Sequence, residues 1–187
     1  MLCYDPSFPE HREHQQYFYS RKTANLIIDA VFHHFNYDTD AVQEQFACLC
    51  APSIAEILHH DHGLSVTLLD IDTRFAHLPG FHRFDLLAPE VPPSMPSGGF
   101  SLVLFDPPYF DLPVSSMKTA VDSIASKSAH LMVGFLRRDE SLLLKHFPTL
   151  ARTAAVMEYD RVRDSRWSNY ALYANCDLPG MRRVTKK

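Results

Sequence analysis

The residues Asp106-Pro107-Pro108-Tyr109 directly follow the apolar run 100–105. The Asp106 carboxylate and the Pro107 carbonyl can together accept both N–H bonds of a planar amino group. Pro108 fixes its own φ and keeps Pro107 extended, so this acceptor pair follows the strand as a stiff turn. Tyr109 adds a flat face on which a base or an alkylammonium group can lie. The motif therefore predicts an amine site.

Strand and helix patterns alternate on both sides of this motif. Strand patterns cover 46–51, 65–72, 81–87, 100–105 and 130–136, and helix patterns cover 21–35, 53–60, 114–126 and 140–146. Ser20 and Ser53 are candidate caps of the first two helices. Two further β-like runs, 154–162 and 170–176, flank a polar stretch and predict an antiparallel hairpin. This order predicts an α/β, Rossmann-like doubly wound sheet with a C-terminal antiparallel hairpin.

Carboxylates stand where two of these strands end, and ligands of an open parallel sheet bind beyond the carboxyl ends of the strands. Asp70 and Asp72 close the second strand, and either can accept hydrogen bonds from two ribose hydroxyls. Strand alternation places both on one face, so the sequence does not choose between them. Asp85 can accept from an adenine amino group. Ordinary solvated acids at strand ends are the alternative.

The turn after the first strand, Cys50-Ala51-Pro52-Ser53, contains no glycine, although this fold is expected to have a glycine-rich turn there. Small side chains still permit a ligand to approach the backbone closely. The helix that starts at Ser53 can direct N–H groups toward a carboxylate or another anionic group of a ligand. Ala51, Pro52 and Ser53 are therefore predicted cofactor contacts.

Composition favours a single domain over 1–187, since 187 residues with 46% hydrophobic content provide one substantial core. An N-terminal arm (1–20) and a loop rich in proline and glycine (88–99) lie outside the predicted elements. The four cysteines form no C-x-x-C pair and predict buried thiols of a reducing compartment. Without a stretch typical of a signal peptide or a membrane span, the protein is expected in the cytoplasm, the nucleus or both.

Charge is unevenly distributed along the chain. Residues 137–187 hold 11 Lys+Arg against 6 Asp+Glu, whereas residues 1–136 hold 7 against 16. A bound polyanion is therefore expected to contact the C-terminal third. Arg161, Arg163, Arg166 and Trp167 lie in the predicted hairpin loop, and an aromatic ring among arginines is typical of a platform for single strands or a flipped base. A protein-binding or merely solvated loop is the alternative.

Histidines cluster at His33-His34 and at His59-His60-Asp61-His62. Adjacent histidine side chains point in different directions, and no cysteine has the spacing of a zinc site. Both clusters end helical patterns, where protonated histidine interacts favourably with the helix dipole. No metal is expected.

Four segments together resemble one protein family. They are Gln16-Tyr17-Phe18-Tyr19-Ser20 followed by Thr23-Ala24; Cys50-Ala51-Pro52-Ser53; Leu68-Leu69-Asp70-Ile71-Asp72-Thr73-Arg74-Phe75; and Asp106-Pro107-Pro108-Tyr109. The last resembles the [DNS]PP[YFW] signature of methyltransferases that modify amino groups with S-adenosylmethionine. Over nearly its full length the chain resembles the eukaryotic probable N6-adenine methyltransferase family, in which the glycine-free first turn is usual.

The resemblance implies a class I methyltransferase fold, S-adenosyl-L-methionine as cofactor, and methyl transfer to adenine N6 in RNA, ribosomal RNA included, or in DNA. One branch of the family modifies ribosomal RNA with the help of CCHC zinc modules. No such module occurs in this sequence, so an accessory partner that delivers RNA is one expectation. The other branch methylates lysine in translation elongation factor 1A. A non-catalytic partner subunit of the same fold is a third alternative.

The resemblance also implies roles for aromatic residues. The segment 16–20 lies beside the cofactor and substrate entrance in that family, so Tyr19 is an expected cofactor contact. Tyr17, Phe18, Tyr109 and Phe110 are expected substrate contacts, and Asp106 is expected to contact both cofactor and acceptor.

Overall fold

A computed structural model describes residues 8–10, 16–92, 95–110 and 112–184. Within them, seven strands form one sheet in the order β3-β2-β1-β4-β5-β7-β6. The strands are β1 (Phe46–Leu49), β2 (Thr67–Asp70), β3 (Phe81–Arg83), β4 (Phe100–Phe105), β5 (Ala125–Leu136), β6 (Ala151–Arg152) and β7 (Tyr170–Ala174). The helices are α1 (Arg21–His34), α2 (Thr39–Gln45), α3 (Pro52–His62), α4 (Val114–Ile124) and α5 (Glu140–His146), and short 3-10 helices cover Thr73–Phe75, Arg137–Asp139 and Asp164–Asn169.

Strands β1 to β5 run parallel to one another, whereas β7 runs antiparallel to both β5 and β6. The predicted doubly wound sheet with a reversed edge is confirmed. The chain moves outward from β1 to β3 and then returns to the other side of β1 as β4. Strand order therefore reverses between β1 and β4, and a crevice opens at such a switch point.

Helices cover both faces of the sheet, which explains why its central strands are continuously apolar. On β4, Leu102 and Leu104 belong to the core beneath α1 and α3, whereas Val103 and Phe105 belong to the core beneath α4 and α5. All four side chains are buried. Polar groups of the central strands are therefore confined to the strand ends, where the predicted site lies.

Local capping fixes where the first helices begin. Ser20 caps α1 as predicted, because its hydroxyl accepts the N–H of Thr23 at 3.2 Å. The predicted cap at Ser53 is wrong, since α3 begins at Pro52 and Ala51 occupies the cap position without a side-chain hydrogen bond. Proline suits the first helical turn because its missing N–H would have no intrahelical partner there.

The predicted strand over 154–162 is also wrong. The antiparallel edge consists of β6 and β7, and the polar stretch between them contains the 3-10 helix Asp164–Asn169. Residues around Tyr159 pair instead with the N-terminal arm. The Ser20 N–H donates to the Glu158 carbonyl at 2.8 Å, and the Asp160 N–H donates to the Phe18 carbonyl at 2.8 Å. This pairing joins two segments that are far apart in sequence.

Two smaller differences concern helix α2 and the end of strand β3. Helix α2 was not predicted, because Val42 is its only fully buried side chain. Strand β3 ends at Arg83 rather than at residue 87, since the Asp85 carboxylate accepts the Leu87 N–H at 2.8 Å and turns the chain.

Some residues on which the sequence predictions were made lie outside the described ranges. These are 1–7 and 11–15 of the N-terminal arm, including Cys3, and 93–94 of the loop 88–99. Cys48, Cys50 and Cys176 are free thiols. No helix within the described ranges has the length and apolar character needed to cross a membrane.

Candidate active site

A cleft of about 260 Å³ opens at the carboxyl ends of β1, β2 and β4, where the strand order reverses. It is lined by Gln16, Tyr17, Cys50, Asp70, Ile71, Phe84, Asp85, Leu86, Leu87, Asp106, Pro107, Pro108, Tyr109 and Leu112. The cleft thus brings together the amine motif after β4 and two of the carboxylates that the sequence singled out.

Tyrosine hydroxyls surround the Asp106 carboxylate. The Tyr109 hydroxyl donates to Asp106 Oδ1, and the Tyr159 hydroxyl donates to the same oxygen at 3.1 Å. The hydroxyls of Tyr109 and Tyr159 also contact each other, and Tyr19 reaches the carboxylate from the N-terminal arm. The hydrogen bonds from Tyr109 and Tyr159 thus share one oxygen of the carboxylate.

The environment of Asp106 sets its protonation. Burial raises the pKa of the Asp106 carboxyl to about 7, although hydrogen bonds from the three tyrosine hydroxyls act in the opposite direction. Burial, together with the Asp106 charge, raises the pKa of Tyr19, Tyr109 and Tyr159 well above the usual range. The three hydroxyls therefore remain protonated donors while Asp106 gains or loses a proton near neutrality.

Gly134 provides the space for this cluster. It lies on β5, beside β4, and a Cβ added there would be 2.7 Å from Asp106 Oδ1 and 2.9 Å from the Tyr19 hydroxyl. The rings of Tyr19 and Tyr159 stack at 5.3 Å between centroids, held by the pairing of the N-terminal arm with 158–160. The site thus depends on three chain segments besides the motif itself.

The structure distinguishes Asp70 from Asp72. Asp70 lines the cleft, and its donors are backbone N–H groups, that of Asp72 at 2.9 Å and that of Ile71. Burial raises the pKa of Asp70 to about 7, although these N–H groups favour the charged form. Asp72 instead caps the 3-10 helix Thr73–Phe75 and binds Arg74 Nη2 at 2.6 Å and Gln16 Nε2 at 3.2 Å. Although burial opposes ionisation of Asp72, hydrogen bonds from Arg74 lower its pKa.

Cys50 takes the conformation that glycine would supply in the first turn. Its φ is 55°, in the left-handed region, and its N–H donates to the Leu69 carbonyl at 2.9 Å. This turn carries the chain sharply from β1 into α3 while Cys50 itself lines the cleft. Burial raises the pKa of the Cys50 thiol, so the side chain lines the cleft as a neutral thiol rather than as a nucleophilic thiolate.

Several predicted contacts lie away from the cleft. Phe18 is 1% exposed and packs against Phe75, and Tyr19 is fully buried behind Asp106. Within the described residues, the cleft lining excludes Phe18, Tyr19, Ala51, Pro52, Ser53, Asp72, Phe110, Arg161, Arg163, Arg166 and Trp167. Phe110 and Arg166 line a neighbouring cavity, whereas Trp167 donates its indole N–H to the Val162 carbonyl at 3.0 Å.

Tyr159, Cys50 and Gly134 are among the site residues that had not been singled out from the sequence. Tyr159 lies in a run taken for a strand, and no local pattern indicates that it reaches Asp106. Cys50 was interpreted only as a buried thiol. Gly134 did carry a signal, since an isolated glycine within a strand indicates close approach of another group. No group of three His, Cys, Asp or Glu side chains within the described ranges is arranged to hold a metal ion.

Comparison with protein families identifies the chain. A family model described as probable N6-adenine methyltransferase matches residues 10–178. The chain belongs to this family. It is accordingly an S-adenosylmethionine-dependent methyltransferase, with S-adenosylmethionine as its cofactor. A search of proteins with curated function found no match to this chain.

Solved structures share the fold of this family member. Protein 1320 of Thermoplasma acidophilum is 15% identical and superposes with a TM-score of 0.52 over 92% of both chains. A ribosomal protein L11 methylase from Lactobacillus delbrueckii subsp. bulgaricus is 14% identical, with a TM-score of 0.47 over 91% of this chain and 82% of its own. The Thermoplasma protein thus shares the α/β, Rossmann-like fold of this chain.

Proposed function

We propose that this chain transfers the methyl group of S-adenosylmethionine to the N6 amino group of adenine in nucleic acid. The observation that carries the proposal is the presence of Asp106, Pro107 and Tyr109 in one cleft with Asp70 and Asp85. Direct transfer requires the donor and the acceptor to bind side by side, in line with the breaking bond. A single cleft that offers acceptors for a nucleoside at one end and for an amine at the other meets this requirement.

The cleft lining fits the cofactor. Asp70 accepts from backbone N–H groups and can also accept from the ribose hydroxyls, and Asp85 can accept from the adenine amino group. Phe84, Leu86 and Ile71 supply apolar surface for the adenine ring. S-adenosylmethionine would supply a sulfonium-bound methyl group that a nitrogen lone pair can attack, with the neutral thioether as the leaving group.

Asp106 and Pro107 would act on the acceptor. The lone pair of adenine N6 is delocalised into the ring, so the amine is a poor nucleophile. Hydrogen bonds from both N6 protons to the Asp106 carboxylate and the Pro107 carbonyl would favour a pyramidal nitrogen with a localised lone pair. With a pKa of about 7, Asp106 can also take the proton that N6 loses after transfer. Tyr19, Tyr109 and Tyr159 are positioning residues, because they hold this carboxylate.

A lysine acceptor is the main competing proposal, and the same carboxylate disfavours it. A lysine ammonium group must lose a proton before it can attack a methyl group. An ionised Asp106 beside the ammonium group would raise its pKa and keep it protonated. Adenine N6 carries no such charge at neutral pH, so the site suits it better.

The assignment of the ribose to Asp70 predicts a large difference between two neighbouring carboxylates. Asp70→Asn is expected to weaken S-adenosylmethionine binding by about 1–3 kcal/mol, because charged hydrogen bonds to the ribose are lost. Asp72→Asn should change the affinity for S-adenosylmethionine less, since Asp72 already accepts hydrogen bonds from Arg74 and Gln16. Isothermal titration calorimetry measures both. Equal affinities in the wild type and Asp70→Asn would contradict the assignment.

The acceptor is tested with methyl-labelled S-adenosylmethionine and separate pools of RNA, DNA and protein. We expect N6-methyladenine in digests of a nucleic-acid pool, because the Asp106 and Pro107 acceptors suit a planar amine. Chromatography of the digests separates it from methyllysine. The Asp106→Asn protein is the control for contaminating activity. Label found only in methyllysine would replace adenine by lysine as the acceptor, and an inactive wild type that does not bind the cofactor would favour the non-catalytic subunit.

A further inference from the structure

A second cavity, of about 660 Å³, lies beside the cleft and is rich in arginine. Its lining includes Phe110, Arg137, Arg138, Glu140, Arg152 and Arg166. We call it the arginine cavity. The arginines come from three places in the chain, namely the 3-10 helix after β5, strand β6 and the 3-10 helix before β7. Only the tertiary structure brings them together.

The arginine cavity keeps a positive charge after its internal contacts are counted. Glu140 is its one lining carboxylate among the described residues, and Arg152 Nη1 is 3.9 Å from Glu140 Oε2. Arg138 pairs with Asp139 at 3.2 Å, and Arg137 donates to the Ser168 carbonyl at 3.1 Å. Among the ion pairs of the described residues, neither Arg137 nor Arg166 has a carboxylate partner within 4.0 Å. An anionic ligand is therefore favoured.

Aromatic residues connect the arginine cavity to the amine motif. Phe110 directly follows Tyr109 in the chain, and Arg138 Cζ lies 5.6 Å from the centre of the Phe110 ring. Tyr170 lines the arginine cavity, and its ring centroid is 5.7 Å from that of Tyr109 and 4.8 Å from that of Tyr159. A ligand that reaches the amine motif therefore has its adjoining parts beside the arginines.

We propose that the arginine cavity binds backbone phosphates of the nucleic-acid strand on one side of the target adenine. This inference rests on the proposed adenine acceptor. Arginine forks suit phosphate oxygens, and Phe110, which is 53% exposed, offers a stacking face for a flanking base. Of the three arginines expected from the sequence to contact phosphate, Arg166 lines the cavity and Arg161 and Arg163 do not.

The test uses an unstructured, fluorescein-labelled single-stranded RNA that contains adenines, titrated at several salt concentrations. Arg138→Gln/Arg166→Gln removes two lining charges, and Arg83→Gln/Lys127→Gln removes two exposed charges elsewhere. The first variant is expected to bind roughly tenfold or more weakly, with the log–log salt slope reduced by about 0.7 per lost contact. The control should keep the wild-type affinity and slope.

Cofactor affinity separates this inference from the proposed function. Both double variants should bind S-adenosylmethionine like the wild type, because the arginine cavity and the cofactor end of the cleft have different linings. If the wild type methylates adenine but Arg138→Gln/Arg166→Gln leaves RNA affinity and salt slope unchanged, the arginine cavity is not the phosphate site. Equally tight competition by polyglutamate would also overturn the inference, since it would indicate an acidic protein surface as the ligand.

Discussion

Asp106→Asn is expected to lower methyl transfer roughly a hundredfold or more while S-adenosylmethionine still binds. The amide keeps the shape of the carboxylate, but it cannot take the proton from N6, and it offers a weaker acceptor than a charged oxygen. The proposed cofactor contacts Asp70 and Asp85 are separate residues of the same cleft. Single-turnover rates with labelled cofactor and calorimetric binding measure the two effects separately.

Asp122→Asn is the matched control, because Asp122 is exposed on α4 and pairs only with Lys118 among the ion pairs of the described chain. It should retain wild-type turnover. Near wild-type turnover in Asp106→Asn would mean that the motif after β4 is not catalytic, and the non-catalytic subunit would become the better proposal.

Asp106→Asn should also stabilise the folded protein above neutral pH. Burial raises the pKa of Asp106 to about 7, so between its ordinary value and about 7 the folded state holds a proton that the unfolded state has lost. Stability of the wild type therefore falls as pH rises through this range. Asparagine removes this loss, which amounts to about 1–4 kcal/mol at and above pH 7. Urea unfolding at pH 5 and pH 8 should show a gain that grows with pH, and a pH-independent difference would contradict the assigned cause.

Gly134→Ala is expected to lower turnover at least roughly tenfold and to destabilise the fold by about 1–3 kcal/mol. The new methyl group would lie 2.7 Å from Asp106 Oδ1, 2.9 Å from the Tyr19 hydroxyl and 3.2 Å from Met157 Cε, so the Asp106 carboxylate must shift. Turnover and urea unfolding measure the two losses.

Gly63→Ala separates the loss of activity from the loss of stability. A Cβ at Gly63 meets no atom within 4 Å, but its φ of 69° disfavours alanine. This control should lose about 1 kcal/mol of stability without a loss of turnover. Wild-type turnover in Gly134→Ala would show that the space beside Asp106 is not needed for the reaction.

The sheet and most of its helices were predictable because their signals are local. The central strands are short apolar runs, and α1 carries its own cap at Ser20. The strand predicted over 154–162 failed because β-like composition also suits an extended segment that packs through large side chains. Tyr159 and Met157 in that segment are buried beside Asp106 rather than along the sheet edge.

The chemistry proposed for the candidate site follows from short signals in the sequence. An aspartate and two prolines after an apolar strand, with acids after the second strand, already predict an amine acceptor beside a nucleoside cofactor. These signals are readable because each depends on a few adjacent residues at a strand end, and parallel strands bring such ends to one edge of the sheet.

The tertiary structure alone decided which of these groups face the cleft and how they are charged. Strand alternation makes Asp70 and Asp72 equivalent. In the folded protein Arg74 and Gln16 donate hydrogen bonds to Asp72, whereas Asp70 lines the cleft. The tyrosines around Asp106 and the arginine cavity likewise combine residues from distant segments. Burial and hydrogen bonding depend on distances through space, which the order of residues along the chain does not contain.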